Sequence, residues 1–345
     1  MLWIGTSLLA GACTSAEANR VPEGPPPPPA VRAAPDTVLL ARALARAEAL
    51  SPLNAIVIRH GDSLLAEAYY RGMRADRAVN IKSASKTLLS PLVGIALRDS
   101  LLPGLDAPLS ALLPEAAEHT GVTLRHLLTH TTGLETTSFQ YYGPWVTSRN
   151  WIRYAVDQPR VCPPGTCMTY STGNSHLVGV LLARAAGQTL IQYARRALFD
   201  SLDISIRPWD RDPQGFYLGG NNMHLTPREL ARFGQFYLDS GRVGATQLVP
   251  MDWIEDAWGD YATSRWNGNR HGYLWWTRTI GGEQVHLAWG YGGQFLFVVP
   301  RLDLTVAVTS SLTNRPPGSG RHNQRVYDLI GCYVIPVVME GRGCG

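Results

Sequence analysis

Strand-forming sequence lies near both ends of this chain, and helix-forming sequence fills most of the span between. Residues 55–59 and 63–70 flank His60-Gly61-Asp62 and predict a β-hairpin. Far downstream, residues 284–289, 294–299 and 304–311 predict three more strands, the first two joined by Gly290-Tyr291-Gly292-Gly293. Turns that short make the neighbouring strands antiparallel. Two strand sets so far apart bury their apolar faces most simply by sharing one sheet. The expected fold class is therefore α+β (an α/β sandwich): an antiparallel sheet flanked by helices and built from both chain ends, plus a central all-helical lobe. The boundaries read as 35–115 and 225–345 for the sheet lobe and 116–224 for the helical lobe, with a cleft between them. Helical periodicity runs over 36–50, 174–186, 226–239 and 322–329. The third of these has a threonine cap at Thr226, Pro227 in its first turn and Gly241 after it. Residues 123–134 predict a short helix closed by Gly133.

A polar run from Asn80 passes through Ser83-Ala84-Ser85-Lys86 into apolar residues at helical spacing, so a helix is expected to begin near Ser83. Residues three apart on a helix share a face, which puts the Ser83 hydroxyl beside the Lys86 amine. A serine hydroxyl becomes a strong nucleophile when a neighbouring base takes its proton. Of 31 Lys+Arg in the chain, only Lys82 and Lys86 are lysines. Arginine carries the remaining positive charge and does not deprotonate near neutrality, whereas a buried lysine does. A chain that otherwise avoids lysine but keeps one beside a helix-start serine points to a working amine. The bland alternative is a capping serine with a solvated lysine.

With 345 residues, 45% of them hydrophobic, the chain can bury a large core. A formal net charge of +4 and the absence of a basic block argue against a nucleic-acid partner. No apolar run reaches the roughly 18 residues of a spanning helix. Residues 1–12 read as a secretion signal ending in small residues before Cys13, and residues 13–34, with prolines from 25 to 29, read as a tether. The folded body is expected over 35–345. Cys162, Cys167, Cys332 and Cys344 remain, an even number that suggests two bridges in an exported protein. Proximity favours Cys162 with Cys167 and Cys332 with Cys344, although four cysteines allow three pairings. His126 and His130 are four apart, but Leu127 stands where a zinc protease has its glutamate, so they read as structural. No metal or cofactor is expected. Gly-x-Ser-x-Gly occurs nowhere, which removes the α/β-hydrolase fold from consideration.

Five blocks in order carry a resemblance. They are Ser83-x-x-Lys86, residues 124–134, Pro164-Gly165-Thr166 leading to Tyr170-Ser171-Thr172-Gly173, residues 225–234, and Gly290-Tyr291-Gly292-Gly293-Gln294. Over about residues 53–311 the chain resembles the serine hydrolases of the class C β-lactamase and penicillin-binding-protein superfamily. That group includes esterases, D-amino-acid peptidases and nylon-oligomer hydrolases. The resemblance implies that Ser83 is acylated, that Lys86 is its base, and that Tyr170 relays the proton. It implies an oxyanion hole from the N–H groups of Ser83 and Tyr291. Thr172 stands where the family often has asparagine, with Asn174 beyond it. Ala288-Trp289-Gly290 matches the place of the family's Lys-Thr-Gly motif. Thr172, Asn174, His286, Trp289 and Gly290 are thus the expected substrate contacts. Tyr141, Tyr142, Trp145 and Trp151 either shape an apolar pocket or belong to the core.

The missing third-motif lysine would otherwise attract a substrate carboxylate. The expected activity is hydrolysis of a small neutral ester or amide in the periplasm, with the membrane involved only through a lipid anchor at Cys13. The alternatives are a D-amino-acid peptidase or weak β-lactamase acting on cell-wall peptides, and a non-catalytic peptidoglycan-binding protein.

Overall fold

The computed structural model describes residues 35–119, 121–207, 209–313 and 321–339, all within the unit Ala34–Gly345. The expected signal segment, Cys13, the tether over 13–34 and the pairing of Cys332 with Cys344 lie outside the described residues.

Eight antiparallel strands form the main sheet. They are β1 (Leu53–His60), β2 (Ser63–Tyr69), β3 (Ala262–Thr263), β4 (Arg270–His271), β5 (Trp276–Ile280), β6 (Glu283–Gly290), β7 (Gln294–Val299) and β8 (Leu304–Ser310), in the spatial order β2-β1-β8-β7-β6-β5-β4-β3. The first strand pairs with the last, with Ile58 opposite Val306 and Val57 opposite Ala307, so both chain ends build one sheet. Strands β3, β4 and β5 were not expected from the sequence. Two of them are only two residues long, too short to show any alternation.

Alternation along the strands sorts side chains between two faces. Ile58, Leu287, Phe295, Phe297, Val306 and Val308 share a core with α1 (Thr37–Ala49) and with α5 (His322–Leu329). Val57, Ala288, Leu296, Val298 and Ala307 share the other core with α2 (Ser85–Arg98), α3 (Thr172–Ala186) and α4 (Pro227–Leu238). With both faces covered, every residue of β7 is buried. Each such leucine or phenylalanine contributes about 1.5–3 kcal/mol relative to exposure.

Caps fix where the helices start. Asp36 accepts hydrogen bonds from the N–H groups of Val38 (2.8 Å) and Leu39 (2.9 Å) ahead of α1. Thr226 and Glu229 form a reciprocal capping box at α4, with the Thr226 N–H donating to Glu229 at 2.7 Å. The short helix at Leu124–Leu128 stops earlier than expected. Gly133 serves a different purpose from closing it. Its backbone has φ +76°, and a Cβ there would stand 2.1 Å from the Cys162 carbonyl oxygen. The nearby Cys162–Cys167 disulfide, the expected pairing, closes the loop that makes this approach. No helix among the described residues is long and apolar enough to cross a membrane.

Candidate active site

Ser83 lies in a single 3₁₀ turn, Lys82–Ala84, and α2 begins two residues after it, at Ser85. Lys82 takes a left-handed backbone (φ 52°), with its N–H bonded to Asn80 Oδ1 at 2.8 Å. Two elements hold this turn. The Ile81 N–H donates to the Met223 carbonyl at 2.9 Å. On the sheet side, the end of β6 closes in so tightly that a Cβ on Gly290 would stand 2.1 Å from the Ile81 carbonyl oxygen. Only glycine fits there. Gly290→Ala is expected to push β6 away from the turn, costing on the order of 1–3 kcal/mol from overpacking. Thermal melts and steady-state kinetics read the two consequences, a lowered Tm and a lowered kcat/KM, because Tyr291 directly follows Gly290.

Lys86 is 3% exposed. Its Nζ lies 3.2 Å from Ser83 Oγ, 3.2 Å from Thr172 Oγ1 and 2.7 Å from the Gly220 carbonyl oxygen. Burial lowers its pKa from 10.5 to about 7. Burial pushes the Tyr170 phenol up to about 12, with the nearby Ser83 side chain offsetting part of that rise. Lys86 Nζ lies 5.0 Å from the centroid of the Tyr170 ring. At neutral pH the lysine is therefore substantially neutral and the tyrosine protonated. Ser83 Oγ thus lies within 3.2 Å of an amine that burial brings near pH 7.

This arrangement carries a stability cost with a defined sign. The unfolded chain holds the Lys86 proton up to pH 10.5, whereas the folded protein releases it near 7, so stability rises with pH across that window. Below it the penalty is roughly 5 kcal/mol. Lys86→Met removes that penalty and leaves the Gly220 carbonyl unpaired, a loss of about 1–3 kcal/mol. The variant is expected to be more stable at pH 6 by about 2–4 kcal/mol and, with the penalty gone, less stable than wild type by about 1 kcal/mol near pH 10. Urea unfolding at the two pH values measures it.

The partners of Lys86 come from separate segments. Thr172 is the first residue of α3. Its N–H donates to Ser138 Oγ at 2.8 Å, and the two hydroxyls lie 2.9 Å apart. Gly220 follows Gly219, whose N–H donates to His176 Nδ1 at 3.3 Å. His176 Nε2 in turn lies 3.0 Å from Asp212 Oδ2, which pins this loop to α3.

Other expected contacts fall elsewhere. The Asn174 amide points to Thr132 Oγ1 at 3.3 Å, tying α3 to the preceding loop. His286 is a core residue: it stacks on Trp258 (centroids 4.3 Å, planes 5° apart), hydrogen-bonds Thr277 at 2.8 Å and is 3% exposed. Burial lowers its pKa to about 3. It shares a sheet face with Gly290 but sits four residues back along β6, beneath the core. Trp145 and Trp151 pack with Leu218 in a satellite core, and Tyr142 accepts a hydrogen bond from Asn221 at 2.9 Å. Trp289 is partly exposed, and the side chain of Tyr291 is exposed. Sequence reasoning missed Ser138, Gly220, Trp266 and Trp276. The first two hold Lys86 through a neighbour's hydroxyl or a main-chain carbonyl, and neither leaves a residue pattern. Trp276 stacks on Tyr170, and Trp266 reaches it through Phe139.

Comparison with known proteins places the chain in a family and agrees with its fold. The family model described as Beta-lactamase matches residues 40–330. The 6-aminohexanoate-dimer hydrolase of Paenarthrobacter ureafaciens is 24% identical over 292 residues, covering 75% of this chain and 72% of that protein. Among solved structures, EstCE1, a hydrolase with promiscuous acyltransferase activity, superposes with a TM-score of 0.69 at 16% identity, covering 85% of this chain and 98% of the other. A D-stereospecific amidohydrolase from Streptomyces gives a TM-score of 0.63 at 16% identity, covering 80% and 94%. The likeness to these two structures is one of fold.

Proposed function

The chain belongs to the beta-lactamase family, and from that premise we propose that it is a serine hydrolase cleaving a small ester or amide through an acyl-enzyme on Ser83. One observation carries the reading. A buried Lys86, held near neutrality by burial, lies 3.2 Å from Ser83 Oγ. A solvated or ion-paired lysine would stay charged and could not accept the serine proton.

Lys86 takes the Ser83 proton as Oγ attacks the carbonyl carbon. The N–H groups of Ser83 and Tyr291 receive the developing oxyanion, an interaction typically worth about 3–4 kcal/mol per donor. As the tetrahedral intermediate collapses, the bond to the leaving oxygen or nitrogen breaks and that atom takes a proton from Tyr170. Lys86 passes its proton to Tyr170, which restores both groups. Water then attacks the acyl carbonyl with the same two residues reversing roles, and the acid departs. Thr172 and the Gly220 carbonyl keep Lys86 aimed throughout.

The substrate reading rests on charge. Neither lysine stands at the third-motif position, where Trp289 sits between Ala288 and Gly290. A neutral ester or amide suits that site better than a carboxylate-bearing β-lactam. The relative from Paenarthrobacter ureafaciens is named as a 6-aminohexanoate-dimer hydrolase, so the proposal keeps amides beside esters. The test is kcat/KM for a short-chain ester, its amide and a penicillin. Turnover of the ester or the amide well above that of penicillin is expected. Penicillin as the best substrate would move the assignment to cell-wall chemistry. No turnover of any of the three by folded protein would leave a binding protein.

A further inference from the structure

Five aromatic rings close a circle that begins at Tyr170. Tyr170 stacks on Trp276 (centroids 5.6 Å, planes 29° apart), and Trp276 meets Trp289 edge-on at 6.0 Å. Trp289 stacks on Trp266 at 5.3 Å with planes 1° apart. Trp266 meets Phe139 edge-on at 5.6 Å, and Phe139 returns to Tyr170 at 6.0 Å. The rings come from two sheet strands, β5 and β6, from the 3₁₀ turn Phe139–Tyr141 and from two loops.

The fold does not require the outer half of this circle. Trp266 is 65% exposed and Phe139 54% exposed, and neither belongs to a core cluster. Yet Phe139 is held in place. It takes φ 56°, an unfavourable backbone for a bulky residue, directly after Ser138, whose hydroxyl is bonded to Thr172. The same hydroxyl network that aims Lys86 therefore sets one wall of the circle. Large aromatic faces kept exposed beside a proton donor suit a flat apolar ligand better than they suit folding.

We propose that this enclosure is the leaving-group subsite of the Ser83 hydrolase, and that it takes an uncharged aromatic alcohol or amine. The inference rests on the acyl-enzyme reading above. The side is assigned by Tyr170, which forms part of the circle and gives its proton to the departing atom. An anion would face the negative π-faces of the rings. A cation would lie close to Lys86, whose Nζ is 5.0 Å from the centroid of the Tyr170 ring.

The test compares benzyl acetate with ethyl acetate. Both form the same acetyl-enzyme, and their leaving alkoxides are similarly basic, so their kcat/KM ratio reports the leaving-group site. Wild type is expected to prefer benzyl acetate. Trp266→Ala, at an exposed position outside the cores, is expected to lower kcat/KM for benzyl acetate about three- to tenfold more than for ethyl acetate, the worth of one aromatic contact. Equal losses on both esters, or no loss on either, would overturn the subsite. So would a preference for acetylcholine, whose leaving group is a cation. Labelling of Ser83 by a small fluorophosphonate, followed in parallel, separates the two levels. Normal labelling with no benzyl preference sinks the subsite alone, whereas no labelling and no turnover in wild type sinks the acyl-enzyme reading and the subsite with it.

Discussion

Ser83→Ala is expected to lower kcat for any turned-over ester by about 10⁶-fold, toward the level that binding and oxyanion donors alone sustain. Without Oγ no acyl-enzyme can form, and water must attack the carbonyl directly in a site shaped for a serine oxygen. The fold should survive the change. Lys86 keeps its bonds to Thr172 Oγ1 and the Gly220 carbonyl, and the removed hydroxyl sits in a 3₁₀ turn ahead of α2. A loss of this size with an unchanged melting transition separates a nucleophile from a residue that merely holds the turn together. Steady-state kinetics on a short-chain ester, with a thermal melt of the same preparation, makes the measurement.

Lys86→Arg is expected to lower kcat/KM by about 10²–10⁴-fold, the usual contribution of a positioned general base. The guanidinium stays charged and cannot accept the Ser83 proton. The wild-type pH profile follows from the same group. With the Lys86 pKa held near 7 by burial, kcat/KM should fall about tenfold per pH unit below 7 and flatten above it, because only the neutral amine is active. The plateau should extend well into the alkaline range, since Tyr170 keeps its proton up to about 12. A profile that falls with rising pH through 7 would contradict the assignment of Lys86 as base. Lys86→Met adds a check on the electrostatics: the same burial that activates the lysine should make the variant more stable at low pH while leaving it inactive.

Much of the architecture was legible because it depends on strong local signals. The His60-Gly61-Asp62 turn, the apolar runs ending at Ser310 and the Thr226-Pro227-Glu229 helix start all appear where the residue pattern places them. Register also follows, since a glycine turn and alternating faces leave β6 and β7 few ways to pair. Strands β3 and β4 were illegible because two residues cannot display a period. Gly133 was misread because a glycine after a helical pattern looks like a cap; only the neighbouring Cys162 carbonyl reveals its role. His286 shows the limit of alternation: the pattern gives its face of the sheet, but not that Trp258 covers it.

The site divides in the same way. Ser83 and Lys86 are three residues apart, so their proximity follows from helix-turn geometry, although the helix proper starts at Ser85. Ser138, Gly220, Trp266 and Trp276 reach the site one from each of several distant segments, and a lone residue leaves no periodicity. The aromatic circle needs residues 139, 170, 266, 276 and 289 together, an arrangement that only the folded chain specifies.

The measurement that bears most directly on the acyl-enzyme account is the intact mass of the folded protein after exposure to a fluorophosphonate, with Ser83→Ala treated in parallel. The account predicts one adduct on the wild-type chain and none on the variant. An adduct that persists in Ser83→Ala, or no adduct on folded wild type, would contradict it.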